Sequence, residues 1–189
     1  MNFWLNNNST NNSNKMDLCQ QQPSTLNLRY NPINNNEIHN LINTLLYGSY
    51  AYIIISSHFK TKGNALDGMA KLFKQLSDEK RQIALEMIEY QQTRGISVIF
   101  KNIQSINQSN WSIFDAMKNA MDFEKKVQTT LGNIKKSSSL NLSYHLQKFC
   151  TRQTNVINQL NQIYNECNRC VKNGTNKLVF DRNLLNKLS

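Results

Sequence analysis

The amino-acid sequence predicts an all-α chain: a four-helix bundle with one long crossover between its second and third helices, plus a short fifth helix at the C-terminus. Three observations carry this prediction. Both prolines, Pro23 and Pro32, stand near the N-terminus, so the rest of the 189 residues lacks the strongest helix breaker. Apolar residues recur at spacings of three and four through four long segments. The links between these segments run short, long, short. That pattern pairs the first helix with the second and the third with the fourth as antiparallel hairpins, and sends the middle link along the length of the bundle.

Residues 1–31 are rich in Asn, Gln and Ser without helical period, and are expected to be a disordered tail ahead of a single folded domain over 32–189. The first helix is expected over about 35–61, with Asn34 to Asn36 as its cap and Ile38, Leu41, Leu45, Gly48, Tyr52, Ile55 and Phe59 on one face. Gly63-Asn64 then makes a short turn. The second helix, about 66–93, carries Leu66, Met69, Phe73, Leu76, Lys80, Ile83, Met87 and Tyr90 in line, and Arg94-Gly95 supply the cation and glycine that suit a helix end. The crossover covers 96–110 and begins with the extended-looking Ile96 to Phe100. Asn110 would cap the third helix, about 111–136, whose stripe is Ile113, Met117, Ala120, Glu124, Val127, Leu131 and Ile134. Ser137 to Ser139 mark the turn into the fourth helix, about 140–170, with Leu142, Leu146, Phe149, Gln153, Val156, Leu160, Ile163 and Cys167 in line. Asn173-Gly174 end it, and a short amphipathic helix from about 176, Lys177 to Leu188, closes the chain.

Composition narrows the function classes. Lys and Arg outnumber Asp and Glu by 22 to 12, a net charge of +10 that favours anions. The basic residues are spread along the helices in runs no longer than two, without zinc-finger spacing or an arginine arm, so a solvated basic face is expected rather than a nucleic-acid reader. The longest apolar run, Tyr50 to Ile55, is far short of the roughly 20 residues that span a bilayer. Met1 to Leu5 lead straight into asparagine and serine, unlike a secretory signal. Four cysteines, Cys19, Cys150, Cys167 and Cys170, fit a reducing compartment. A soluble, cytoplasmic protein is expected. Cys167 and Cys170 form a lone C-x-x-C, with no second pair or nearby histidine to complete a zinc site.

Polar residues interrupt three of the stripes near their centres: Lys80 beside Glu79 on the second helix, Glu124 on the third and Gln153 on the fourth. The first helix presents Tyr52 inward. A lone buried carboxylate costs several kcal/mol or more, so these groups should meet one another, a metal or water. Taken singly, Glu79 could sit off the stripe and Lys80 could reach solvent along its alkyl stem. For Glu124, centred between Ala120 and Val127, such an escape is less comfortable, so a shared buried polar layer is expected over scattered boundary residues. A di-iron bundle site needs carboxylates from facing helices and an E-x-x-H pattern. Gln82 and Ile83 stand where that histidine would be sought, and Leu45 stands at the matching depth of the first helix. His39, His58 and His145 lie elsewhere. An ammonium at position 80 repels a metal ion and can pair with Glu79 or Glu124, so the layer reads as a salt-bridged plug.

Ordered motifs through the folded part carry a resemblance. These are Leu46-Tyr47-Gly48-Ser49-Tyr50-Ala51-Tyr52 in the first helix, Gln91-Gln92-Thr93-Arg94-Gly95 at the end of the second, Trp111 with Asp115-Ala116-Met117 and Phe123-Glu124-Lys125 in the third, and Leu178-Val179-Phe180-Asp181 in the fifth. From Pro32 to the C-terminus the chain resembles the eukaryotic ferritins, whose fold is the ferritin-like four-helix bundle. The resemblance implies that the first-helix iron ligand falls at Leu45, the bridging glutamate at Glu79, its histidine partner at Ile83 and a second glutamate at Lys80. The remaining site positions are kept as Glu124, Gln153 and Tyr52. Glu79 and Glu124 are then vestigial metal ligands, and the pattern is similar to that of the non-catalytic, light-type subunit, with a degenerate ferroxidase site.

Further implications follow from the same resemblance. The light-type mineral-nucleating glutamates match Lys71, Lys74, Gln75 and Asp78, other cavity acids match Gln82 and Leu85, and the acidic pair of the three-fold channels matches Ser143 and Leu146. Iron is implied as a stored mineral and is not needed for folding. Homo- or hetero-oligomerisation into a 24-subunit shell is implied, with a catalytic ferritin co-subunit to oxidise the iron. Many copies of a chain at +10 repel one another, which favours anions or an acidic co-subunit in the shell. The alternatives are a structural or protective cage or dimer that has no iron role and holds phosphate-rich or acidic partners, and an active ferroxidase, against which Leu45, Lys80 and Ile83 argue.

Overall fold

A computed structural model describes residues 32–106, 110–174 and 176–188; the expected tail over 1–31, and Cys19 with it, lies outside these. Five helices follow in order: α1 (Pro32–Lys60), α2 (Asp67–Thr93), α3 (Ile113–Ser137), α4 (Leu140–Lys172) and α5 (Lys177–Lys187). The predicted four-helix bundle with a short fifth helix is the observed fold.

Two predicted caps are wrong, for local reasons. Pro32 opens α1, so Asn34 to Asn36 lie inside the helix rather than ahead of it. Proline suits that first turn because its missing N–H would have had no helical partner there. Ser112, not Asn110, caps α3: its hydroxyl accepts from the Asp115 N–H at 3.0 Å and donates to the Asp115 carboxylate at 2.7 Å. Ser112 stands three residues before an acid, the spacing of a reciprocal cap.

α1 and α2 run antiparallel. The Ser77 hydroxyl donates to the Ser49 carbonyl at 2.8 Å, and seven residues along α1 the Ser56 hydroxyl donates to the Ala70 carbonyl at 2.7 Å. The crossover is tied to α1 at both ends. Asn43 donates to the Ile99 carbonyl at 2.8 Å and accepts from the Lys101 N–H at 2.7 Å, while the Trp111 N–H donates to His58 Nε2 at 3.3 Å. From Asn43 to His58 is about 22 Å of helix, so the crossover does run along the bundle. α3 thus starts beside the end of α1 and runs back against it, and α4 returns.

Gly48 lets two of these helices approach closely. A Cβ built there would lie 2.3 Å from Cζ of Phe123, whose ring meets Tyr52 edge-on at 5.7 Å. α5 is docked by Asp181, a buried carboxylate that accepts from the Gly68 N–H at 2.9 Å and the Met69 N–H at 2.8 Å. It supplies the cap that Leu66, the residue before α2, lacks. Among the described residues no helix is long and apolar enough to cross a membrane.

The core falls into two apolar clusters. One, around Tyr52, Phe59, Phe73, Met117 and Leu160, includes α5. The other gathers Leu41, Leu45, Ile83, Leu131 and Phe149. Lys80, Glu124 and Gln153 lie between them along their helices.

Candidate functional site

The interrupted stripes converge as expected. Lys80, Glu124 and Gln153 are each fully buried, and Tyr52 is 2% exposed. The Lys80 ammonium sits 2.6 Å from Glu124 Oε2 and donates to Gln153 Oε1 at 2.9 Å. Gln153 in turn donates from Nε2 to the Glu124 carbonyl at 2.9 Å and to its carboxylate. The other carboxylate oxygen, Oε1, accepts from the Tyr52 hydroxyl at 2.7 Å. One carboxylate therefore receives donors from α1, α2 and α4, which satisfies its lone pairs where no solvent reaches.

The escape of Lys80 to solvent does not occur. Its side chain is enclosed, and Leu76 and Ile83 one turn away on either side are buried as well. Tyr52 is held as a neutral donor. Burial pushes its hydroxyl well above the usual range, and the charge and hydrogen bond of Glu124 add to the effect.

Glu79 stands apart from this layer. It is half-buried, and among the described residues its carboxylate makes no hydrogen bond or ion pair. Burial raises its pKa; Lys80 lowers it, Glu124 raises it and Arg152 lowers it. Of the two carboxylates open to the ammonium, Glu124 takes it. The reason is geometric, since adjacent residues on a helix point about 100° apart.

Leu45 and Ile83 are both buried in the second apolar cluster and offer no ligand atom. Among the described residues no three His, Cys, Asp or Glu side chains come together as a metal site. Of the two carboxylates on these helices, Glu124 is held by the Lys80 ammonium and Glu79 lies off the layer.

The two matched channel positions differ in their surroundings. Leu146 is 1% exposed and belongs to the second cluster, so of the pair only Ser143 reaches solvent.

A neighbouring charge cluster was missing from the sequence-based expectations. Glu86 on α2 pairs with Lys148 at 2.7 Å and Arg152 at 2.9 Å on α4. Lys148 and Arg152 are one turn apart, a spacing that marks them as a common clamp for an acid on a facing helix.

The ferritin family, described as a ferritin-like domain, matches residues 35–170. A ferritin-1 heavy chain of Schistosoma mansoni is 30% identical over 154 residues, which is 78% of this chain and 88% of that protein. A ferritin of Pacifastacus leniusculus is 27% identical over 78% of this chain and 84% of its own length. A ferritin light chain of Oryctolagus cuniculus is 28% identical over 67% of this chain and 73% of its own. Chains named heavy and light are similar to this one at nearly equal identity, so the likeness does not separate subunit types. Bundle, long crossover, fifth helix and matched span agree: the chain belongs to the ferritin family.

Proposed function

We propose that this chain is an iron-storage ferritin subunit that does not oxidise iron itself and relies on a catalytic co-subunit within a mixed cage. One observation carries this reading: the enclosed Lys80 ammonium lies 2.6 Å from the Glu124 carboxylate. A ferrous ion about 4 Å from that ammonium would be repelled by about 8 kcal/mol even at an effective dielectric constant near 20. Glu124 would have to give up its lysine to serve as a ligand, and Leu45 and Ile83 would contribute nothing to replace the loss. Iron is then cargo rather than a reactant at this layer.

The test is ferrous oxidation, followed by oxygen consumption, for the pure chain and for the chain assembled with a catalytic ferritin subunit, together with particle size and iron content. The pure chain should oxidise iron no faster than buffer, and the mixed assembly should be a large shell loaded with iron. Oxidation by the pure chain would overturn the non-catalytic assignment. A monomer or dimer without iron under both conditions would overturn storage.

A second reading, a structural or protective cage without iron traffic that holds phosphate-rich or acidic partners, has one specific support. Asp78, an acid at a position matched to the mineral-nucleating surface, is tied to Lys74 at 2.5 Å, and Leu85 is 46% exposed where another acid is expected. A full-sized mixed shell that takes up no iron would favour it.

A further inference from the structure

Where α1 ends, α3 begins and α4 meets α5, the chain forms a partly open cavity of about 290 Å³. It lies at the α5 end of the bundle and shares no lining residue with the Lys80 layer. Much of the wall is apolar, with Phe59, Leu66, Phe114 and Phe180 beside the thiols of Cys167 and Cys170. Cys167 is pushed up to about 11 by burial and by its neighbour Cys170, so it stays a neutral thiol and belongs to the apolar wall.

Two polar features on this wall point to an occupant. Trp111 lines the cavity, and its indole Nε1 is shut off from solvent without an acceptor among the described residues. Buried donors are nearly always paired, so one left without an acceptor needs an explanation. Lys177, the first residue of α5, is the one charged residue on the wall among the described residues, and none of the acids among them lines it. An apolar wall with a buried N–H and a single cation matches a ligand with an apolar tail and an anionic, hydrogen-bond-accepting end. At about 30 Å³ for each non-hydrogen atom, the volume holds about ten of them.

We propose that this cavity binds a medium-chain aliphatic carboxylate, with its tail among Phe59, Phe114 and Phe180 and its carboxylate toward Lys177. This is a second ligand class for the chain, and it is independent of the iron-storage reading.

The probe is octanoate, titrated into the full chain carrying Trp4→Phe so that Trp111 is the sole indole. Acetate, which lacks the tail, and octylamine, which carries the opposite charge, are the comparators. Octanoate should change Trp111 emission saturably, and over the same concentrations it should slow alkylation of Cys170 by N-ethylmaleimide while leaving Cys150 unaffected. Lys177→Gln should weaken octanoate binding about tenfold, the loss of one hydrogen bond to a charged group. Val171 lines the cavity and is 53% exposed, so Val171→Phe can fill the space at little cost to the fold and should remove both signals. Circular dichroism confirms that each variant keeps its helices. The proposal is overturned by the absence of a saturable response, by an equal response to octylamine, or by an unchanged response in Val171→Phe.

Discussion

Two ion pairs anchored on α2 solve the same problem in opposite surroundings. Lys80 meets Glu124 with both side chains wholly enclosed, whereas Glu86, six residues further along, meets Lys148 and Arg152 with those two partners 45% exposed. Desolvation makes the difference. The inner pair gives up hydration worth several kcal/mol per ion, recovers it only because Tyr52 and Gln153 complete its hydrogen bonds, and is therefore costly to break. Water and salt already screen the outer pair, so it contributes little and is cheap to lose. The inner layer acts as a fixed structural element, while the outer cluster tunes the surface.

The largest effect should come from breaking the inner pair on one side. Glu124→Leu leaves Lys80 as an unpaired buried ammonium and should cost about 3–5 kcal/mol, seen as a lower urea midpoint at unchanged slope. Adding Lys80→Met removes the second charge as well. That double variant should recover to within about 2 kcal/mol of the parent, the residue being Tyr52 and Gln153 without their acceptor. A double variant as unstable as Glu124→Leu alone would break the distinction between inner and outer pairs. Tyr52→Phe tests the completing hydrogen bonds directly and should cost about 2 kcal/mol, the range for a bond to a charged group.

A third arrangement lies between the two. Asp181 is 5% exposed and meets no cation among the described residues; it caps the N–H groups of Gly68 and Met69 at the start of α2. Asp181→Asn should cost about 1 kcal/mol in thermal or urea unfolding, since the amide oxygen can still cap one N–H while the charge against the helix end is lost. A cost as large as that of Glu124→Leu would mean that α5 docking, rather than the central layer, dominates the stability of the bundle.

The stripes of period three and four predicted these helices and their pairing because burial in a bundle imposes that period directly. The caps at Pro32 and Ser112 were less legible, since a helix end is set by one or two local hydrogen bonds that several nearby residues could make. Membership of the polar layer was readable from the interruptions at Lys80, Glu124 and Gln153. The choice of Glu124 over Glu79 was not, because it depends on which way adjacent helical positions face. Asp181 on Gly68 joins residues 113 positions apart, and no local pattern encodes that contact. The indole of Trp111, which has no acceptor among the described residues, was hidden for the same reason: its wall is assembled from four helices and the turn after α1.

The smallest predicted effect defines the outer pair. Burial alone would raise the Glu86 carboxyl, yet hydrogen bonds from Lys148 and Arg152, with their charges, hold it down at about 2. A carboxyl lowered in the folded chain adds stability above its unfolded value of about 4.3, and that contribution fades as pH falls from about 4.3 toward about 2. The full shift would be worth about 3 kcal/mol, but partners this exposed reduce it to about 1 kcal/mol or less. Glu86→Gln should therefore flatten stability against pH in that window and change little at neutral pH beyond this amount. Salt then separates the two pairs. At about 1 M, where the screening length is about 3 Å, the cost of Glu86→Gln should nearly vanish while that of Glu124→Leu persists, because ions cannot enter the enclosed layer. If salt erased both costs alike, Lys80 and Glu124 would have to be reached by solvent, and the physical basis of the proposal that this layer does not take iron would go with them.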